Sequence, residues 1–145
     1  MSFDPRELTD VELLTHHYKS KLDINGFLLV NLNENHPTKW GEYFVGYNTI
    51  VIYSGEMTLS RFNLTVLHEI SHHMCIKLYD DHTHGKFFKK ILRHLLDLYY
   101  DYDVPSEIIE LLKGDDLYYE FESTKERRES QLELWGTWEM AKAQC

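Results

Sequence analysis

SRFNLTVLHEISHHMCIKLY, residues 60–79, is the stretch on which the reading of this chain turns. Val66, Leu67, Ile70 and Met74 recur at helical spacing, and Ser60 is a residue type that caps helix N-termini. The spacing predicts one long helix over 60–79. Inside it lies His68-Glu69-Ile70-Ser71-His72, an HExxH motif. Four residues advance about 400° around an α-helix, so the two imidazoles stand one turn apart on nearly one face. From there both nitrogens reach a single ion at about 2.0–2.1 Å. Glu69 is turned about 100° from His68, beside the ion but not on it. A carboxylate there accepts a proton from a metal-activated water and returns it to a leaving amine. With nine histidines in the chain, an HExxH arises by chance at a rate of roughly a few per cent. Its place in mid-helix, directly after the apolar pair Val66-Leu67 and behind a strand, argues against chance. Polar side chains on the buried face of a helix are costly unless something satisfies them, and a metal does so.

A catalytic zinc needs a third protein ligand and an open position. Leu78 lies six residues beyond His72, where the compact HExxHxxGxxH pattern needs its third histidine, so that pattern is absent, and no Glu occurs in the helix after His84. The downstream candidates are Asp80, Asp81, His82 and His84. His84 is preferred, because Gly85 behind it lets the backbone pass close to the site; His82 is its rival.

Outward from this stretch the chain carries no internal repeat. Residues 8–22 read as an amphipathic helix stopped by the turn signal Asn25-Gly26. Phe27 to Leu32 is short and apolar and reads as a strand. Tyr43 to Tyr47 and Thr49 to Tyr53 are aromatic and β-branched, two strands joined tightly near Gly46 to Asn48. Thr49 to Tyr53 is expected at the sheet edge, where an extended peptide could pair with it. DDHTHG, residues 80–85, is a polar break. A second helix is expected from His84 to Tyr100, with Phe87, Phe88, Ile91, Leu92, Leu95 and Leu96 inward. Pro105 opens a short helix over Ser106 to Lys113, closed by Gly114. The tail from Leu117 reads as one more helix, interrupted or ended near Gly136, with Trp135, Trp138 and Met140 packing back on the body. Helices before and after the strands, without βαβ alternation, give an α+β fold with a small sheet of about three strands on the site helices. The length is that of one domain, 1–145. Its core covers about 27–104, followed by a C-terminal helical extension over 105–145.

The balance of 15 Lys and Arg against 24 Asp and Glu leaves a formal charge of −9. That is a poor match to a phosphate backbone, although Lys86, Lys89, Lys90 and Arg93 offer a local basic patch. The two cysteines, Cys75 and Cys145, form no CxxC pair. Neither a disulfide framework nor a cysteine zinc module is expected. The N-terminus MSFDPRELTD is polar and acidic, unlike a signal peptide, and no apolar run approaches the roughly 20 residues that span a bilayer. A soluble cytoplasmic protein without membrane association is the expectation. His16 and His17 are expected at the surface, His73 beside the site or at the surface, His94 in a structural role, and Cys75 in the core.

His68-Glu69-x-x-His72, a variable polar loop, and then His84-Gly85-Lys86-Phe87-Phe88 resemble the SprT-like (Spartan-type) metallopeptidases. Their signature is HExxH, a loop, and His-Gly-x-x-aromatic opening the next helix. The likeness covers about Tyr43 to Leu96, and TIVIYSGEMTLS ahead of the motif fits the same layout. It implies a zincin-like fold, zinc held by His68, His72 and His84, Glu69 as the catalytic base, and a protein or peptide substrate. Some members act on DNA-bound protein, which makes DNA an implied partner that the net charge disfavours. No CxxC follows the site, so the zinc ribbon of many members is missing. The competing expectation is a non-catalytic, zinc-stabilised scaffold or protein-binding module. A fourth protein ligand from Asp81 or His82 would mark it.

Overall fold

A computed structural model describes residues 3–143, so Cys145 lies outside the described residues. The fold is α+β. Among the described residues five helices, α1 (Val11–Leu22), α2 (Leu59–Tyr79), α3 (Lys86–Tyr99), α4 (Ser106–Gly114) and α5 (Thr124–Ala143), accompany a sheet of β1 (Leu28–Leu32), β2 (Gly41–Phe44) and β3 (Thr49–Tyr53); α1 and α2 pack on the strands, and α3, α4 and α5 pack on α2. Single 3-10 turns occupy Pro5–Glu7 and Val45–Tyr47.

Local chemistry sets the helix ends. The Asp10 carboxylate accepts from the Leu13 N–H at 3.0 Å and starts α1 three residues later than the periodicity suggests. Thr58, not Ser60, caps α2, its hydroxyl accepting from the Arg61 N–H at 3.1 Å. Asp80 ends α2 in the left-handed region, at φ 50°. Helix α5 runs unbroken through Gly136, against the expected interruption; one glycine inside a twenty-residue helix costs only about 1 kcal/mol.

The sheet order is β1-β3-β2, with β1 parallel and β2 antiparallel to β3. Thr49–Tyr53 is therefore the central strand, and the expected edge role falls to Gly41–Phe44 instead. The reason is in the side chains: Ile50 and Ile52 are fully buried, and their strand is covered on both flanks. The second expected strand is shortened as well, because Val45–Tyr47 coils into a 3-10 turn that lets Asn48 (φ 47°) reverse the chain.

Helix α2 crosses the sheet with Phe62, Val66, Leu67, Ile70 and Met74 buried, and Cys75 is buried among them. Phe88, Ile91, Leu92, Leu95 and Leu96 close the core from α3 as expected. Phe87 does not: it is 49% exposed and stacks on Tyr79, because α3 starts at Lys86 and its phase turns Phe88 inward. In the tail Trp138 is buried, whereas Met140 is 68% exposed, against its expected inward packing. His17 is half-buried rather than exposed, its Nε2 2.9 Å from the Tyr99 hydroxyl. His94 is buried against Ser130, a structural position.

One ion pair fastens α5 to this body. Asp97 is fully buried and takes both the Nε (2.8 Å) and Nη2 of Arg127, with the Nε of Arg93 3.7 Å away. Arg127→Met leaves that carboxylate with only the longer contact. Breaking a buried pair from one side costs about 3 kcal/mol. A clear fall in the urea midpoint of unfolding is expected, and an unchanged midpoint contradicts the assignment.

Candidate metal centre

Helix α2 carries His68, Glu69 and His72, and the loop over residues 80–85 folds back to bring His84 beside them. The loop is shaped by its own side chains. The Asp81 carboxylate accepts from the Thr83 N–H (2.9 Å) and hydroxyl (2.6 Å), and Thr83 Oγ1 accepts from the Gly85 N–H at 3.3 Å. Gly85 then begins α3 in extended conformation, so His84 precedes that helix by two residues.

The donor atoms of His68, His72 and His84 all lie within 4.8 Å of one another. The Nε2 atoms of His72 and His84 are 2.9 Å apart. Phe88, fully buried, forms the floor, its ring centre 4.9, 4.5 and 4.8 Å from those of His68, His72 and His84. Among the described residues no fourth donor joins this group; His82 turns instead toward Asp80, at 3.4 Å.

Burial, with smaller repulsions from His72 and His84, pulls the His68 imidazole down to about 3. Burial and the neighbouring His84 hold His72 at about 4, and burial followed by Lys89 lowers His84. All three are therefore neutral at ordinary pH, the form that binds metals. Three neutral imidazoles with no oxygen donor suit a borderline transition ion and not calcium or magnesium. The residues fit zinc.

Glu69 is 6% exposed, its Oε1 3.8 Å from His68 Nε2. Burial raises its carboxyl to about 7, Glu42 adds to the rise, and Lys39 opposes it. The group can gain or lose a proton near neutrality, as an acid–base catalyst must.

Edge strand β2 forms the other bank of the cleft. A Cβ on Gly41 would stand 2.9 Å from Thr65 Cγ2 and 3.2 Å from the Val51 carbonyl, so only glycine lets β2 lie this close to α2. The Trp40 carbonyl accepts from the Tyr53 N–H at 2.9 Å, and Glu42 and Phe44 pair with Val51 and Thr49. By antiparallel alternation the backbone groups of Gly41 and Tyr43 face the open edge. The Tyr43 hydroxyl donates to Asn48 Oδ1 (3.0 Å) and lies 2.7 Å from His73 Nδ1. His73 is fully buried, which corrects its expected surface option; it ties the site helix to the edge strand.

The structure thus brings together His68, Glu69, His72 and His84, and leaves Asp80 and His82 outside the group. Sequence reasoning missed the walls of the cleft: Trp40, Arg61, Asp115 and Leu117 border it beside Glu69. Gly41, an isolated glycine beside a β-rich segment, was the one local signal of a close backbone approach. No family model, curated protein or solved structure matches this chain.

Proposed function

We propose that this chain is a zinc-dependent metallopeptidase of zincin-like fold, related to the SprT-like enzymes it resembles, that hydrolyses peptide bonds in protein or peptide substrates. The observation that carries this is the convergence of three neutral imidazoles with one buried carboxylate in a cleft bordered by a free strand edge. His68, His72 and His84 would hold the ion. When bound, zinc supplies Lewis acidity, polarising a carbonyl and acidifying water. The open backbone groups of Gly41 and Tyr43 receive the substrate as an added strand. Glu69 accepts the proton of the attacking water and delivers it to the departing nitrogen, so that one carboxyl group serves both halves of the reaction. The absence of a fourth donor among the described residues favours this reading over a zinc-stabilised scaffold. Lys90 and Arg93 lie over the rings of Tyr119 and Tyr118, and the net charge is −9, so free protein is a better substrate choice than DNA-bound protein. Among the described residues no helix is long and apolar enough to cross a membrane.

Purified chain incubated with an unfolded protein is expected to release fragments, to stop when 1,10-phenanthroline removes the metal, and to resume on addition of zinc. Cleavage that continues unchanged in fully metal-free protein overturns the reading.

A further inference from the structure

The cleft does not end at the imidazoles. Beyond His68 and Glu69 it opens into a cavity of about 260 Å³ bounded by Trp40, Arg61, Leu64, Thr65, Asp115 and Leu117. Its floor is apolar, with Leu64 and Leu117 almost wholly buried. Apart from the Glu69 carboxyl, its charged groups are matched in pairs. Arg61 Nη1 is 2.7 Å from Asp115 Oδ2, and the Arg61 guanidinium lies 5.0 Å from the centre of the Trp40 ring. At the mouth, Lys39 Nζ is 2.8 Å from Glu42 Oε1.

The far wall is built by the end of α4. Asp116 takes the left-handed conformation (φ 58°), and the Leu117 N–H reaches back to the Leu112 carbonyl at 2.8 Å. This six-to-one closure turns Leu117 into the core and leaves Asp115 against Arg61. The segment 115–117 belongs to the part of the sequence that reads as an extension, yet it completes the cleft.

We propose that this cavity receives one uncharged, apolar substrate side chain of leucine, methionine or phenylalanine type, beside the bond to be cut, and that the Arg61–Asp115 pair sets that preference. The assignment rests on the peptidase reading, since the cavity shares His68, Glu69 and His84 with the proposed metal site. An acidic side chain entering here loses water and finds Arg61 and Lys39 already taken, and a basic one finds Asp115 and Glu42 already taken, with only the reaction's own carboxyl, Glu69, left unpaired, which is a selection against both. An apolar one covers chiefly the Trp40 ring, which is 54% exposed, and the little of Leu117 that the floor still shows, displacing water from surface that has no polar partner to offer. Removing one member of the pair frees the other. Asp115→Asn leaves Arg61 free for an acidic side chain, and Arg61→Met leaves Asp115 free for a basic one.

The test uses fluorescein-labelled, end-blocked hexapeptides of glycine and serine with one central Leu, Asp or Lys. Binding is followed by anisotropy on the zinc-loaded Glu69→Gln protein, alone and combined with Asp115→Asn or Arg61→Met, each checked for fold by circular dichroism. The parent is expected to hold the Leu peptide about tenfold tighter than the other two. Asp115→Asn should move the preference toward Asp, and Arg61→Met toward Lys. The same order of affinities in all three proteins, no preference for Leu in the parent, or no binding of any peptide overturns the proposal. The same peptides are incubated with the wild-type protein and examined by mass spectrometry. Failure to cut any peptide counts against the peptidase reading, while the anisotropy alone decides the cavity.

Discussion

Glu69→Gln is expected to leave zinc content and fold intact and to lower turnover on unfolded protein by about 10²–10⁴-fold, the usual contribution of positioned acid–base catalysis. Glutamine has nearly the same shape as glutamate and keeps an acceptor oxygen, so packing in this buried position is preserved. What it loses is the ability to take up a proton. The Glu69 carboxyl is held at about 7 chiefly by burial, so it is poised between its two states in the metal-free chain. It lies 3.8 Å from His68 and is not one of the three clustered donors, which separates its chemistry from metal binding. Single-turnover cleavage and zinc analysis on the same preparations check this. Equal turnover in the two proteins removes Glu69 from the mechanism, and lost zinc makes it a ligand.

Removal of a ligand is the second large effect. Three protein ligands share a zinc-binding free energy on the order of 10–16 kcal/mol, so deleting one costs about 3 kcal/mol or more, a hundredfold or greater loss of affinity. His68→Ala, His72→Ala and His84→Ala are each expected to show it in competition with a chromogenic chelator. His82→Ala is the control. Its imidazole faces Asp80 across 3.4 Å in solvent, and its removal is expected to change affinity by less than about twofold. A large loss with His82→Ala and none with His84→Ala would exchange the two roles and require the loop over 80–85 to refold around the ion.

The clustering of His68, His72 and His84 was legible in part because the spacing of the first two is local. Helical periodicity alone puts His68 and His72 on one face, and Gly85 beside His84 marks where the chain turns back. The three strands were also visible as segments, but not their order. Thr49–Tyr53 and its neighbours share the same β-rich chemistry, and nothing local says that Leu28–Leu32 pairs with it in parallel and makes it central. The edge strand GEYF is short and partly polar, and its position depends on a glycine fitting against Thr65 on a helix far along the chain. His73 follows the same logic. Its burial is decided by Tyr43, a strand residue across the cleft, not by its place next to His72. Phe87 and Phe88 were given the same inward facing; the first residue of α3 fixed which of two adjacent rings turned outward. Asp115 and Leu117 were hidden for the same reason as the strand order. They meet Arg61 and Leu64 only once α4 has packed on α2.

The most direct measurement of the central claim is zinc K-edge X-ray absorption on the purified, zinc-equilibrated chain, with the metal counted on the same sample. The expected result is one zinc per chain with three imidazole nitrogens at about 2.0–2.1 Å, no sulfur, and a fourth position not supplied by the protein, unchanged in His82→Ala. A spectrum showing sulfur from Cys75, fewer than three imidazoles, or an additional histidine lost on His82→Ala would contradict the site built on His68, His72 and His84.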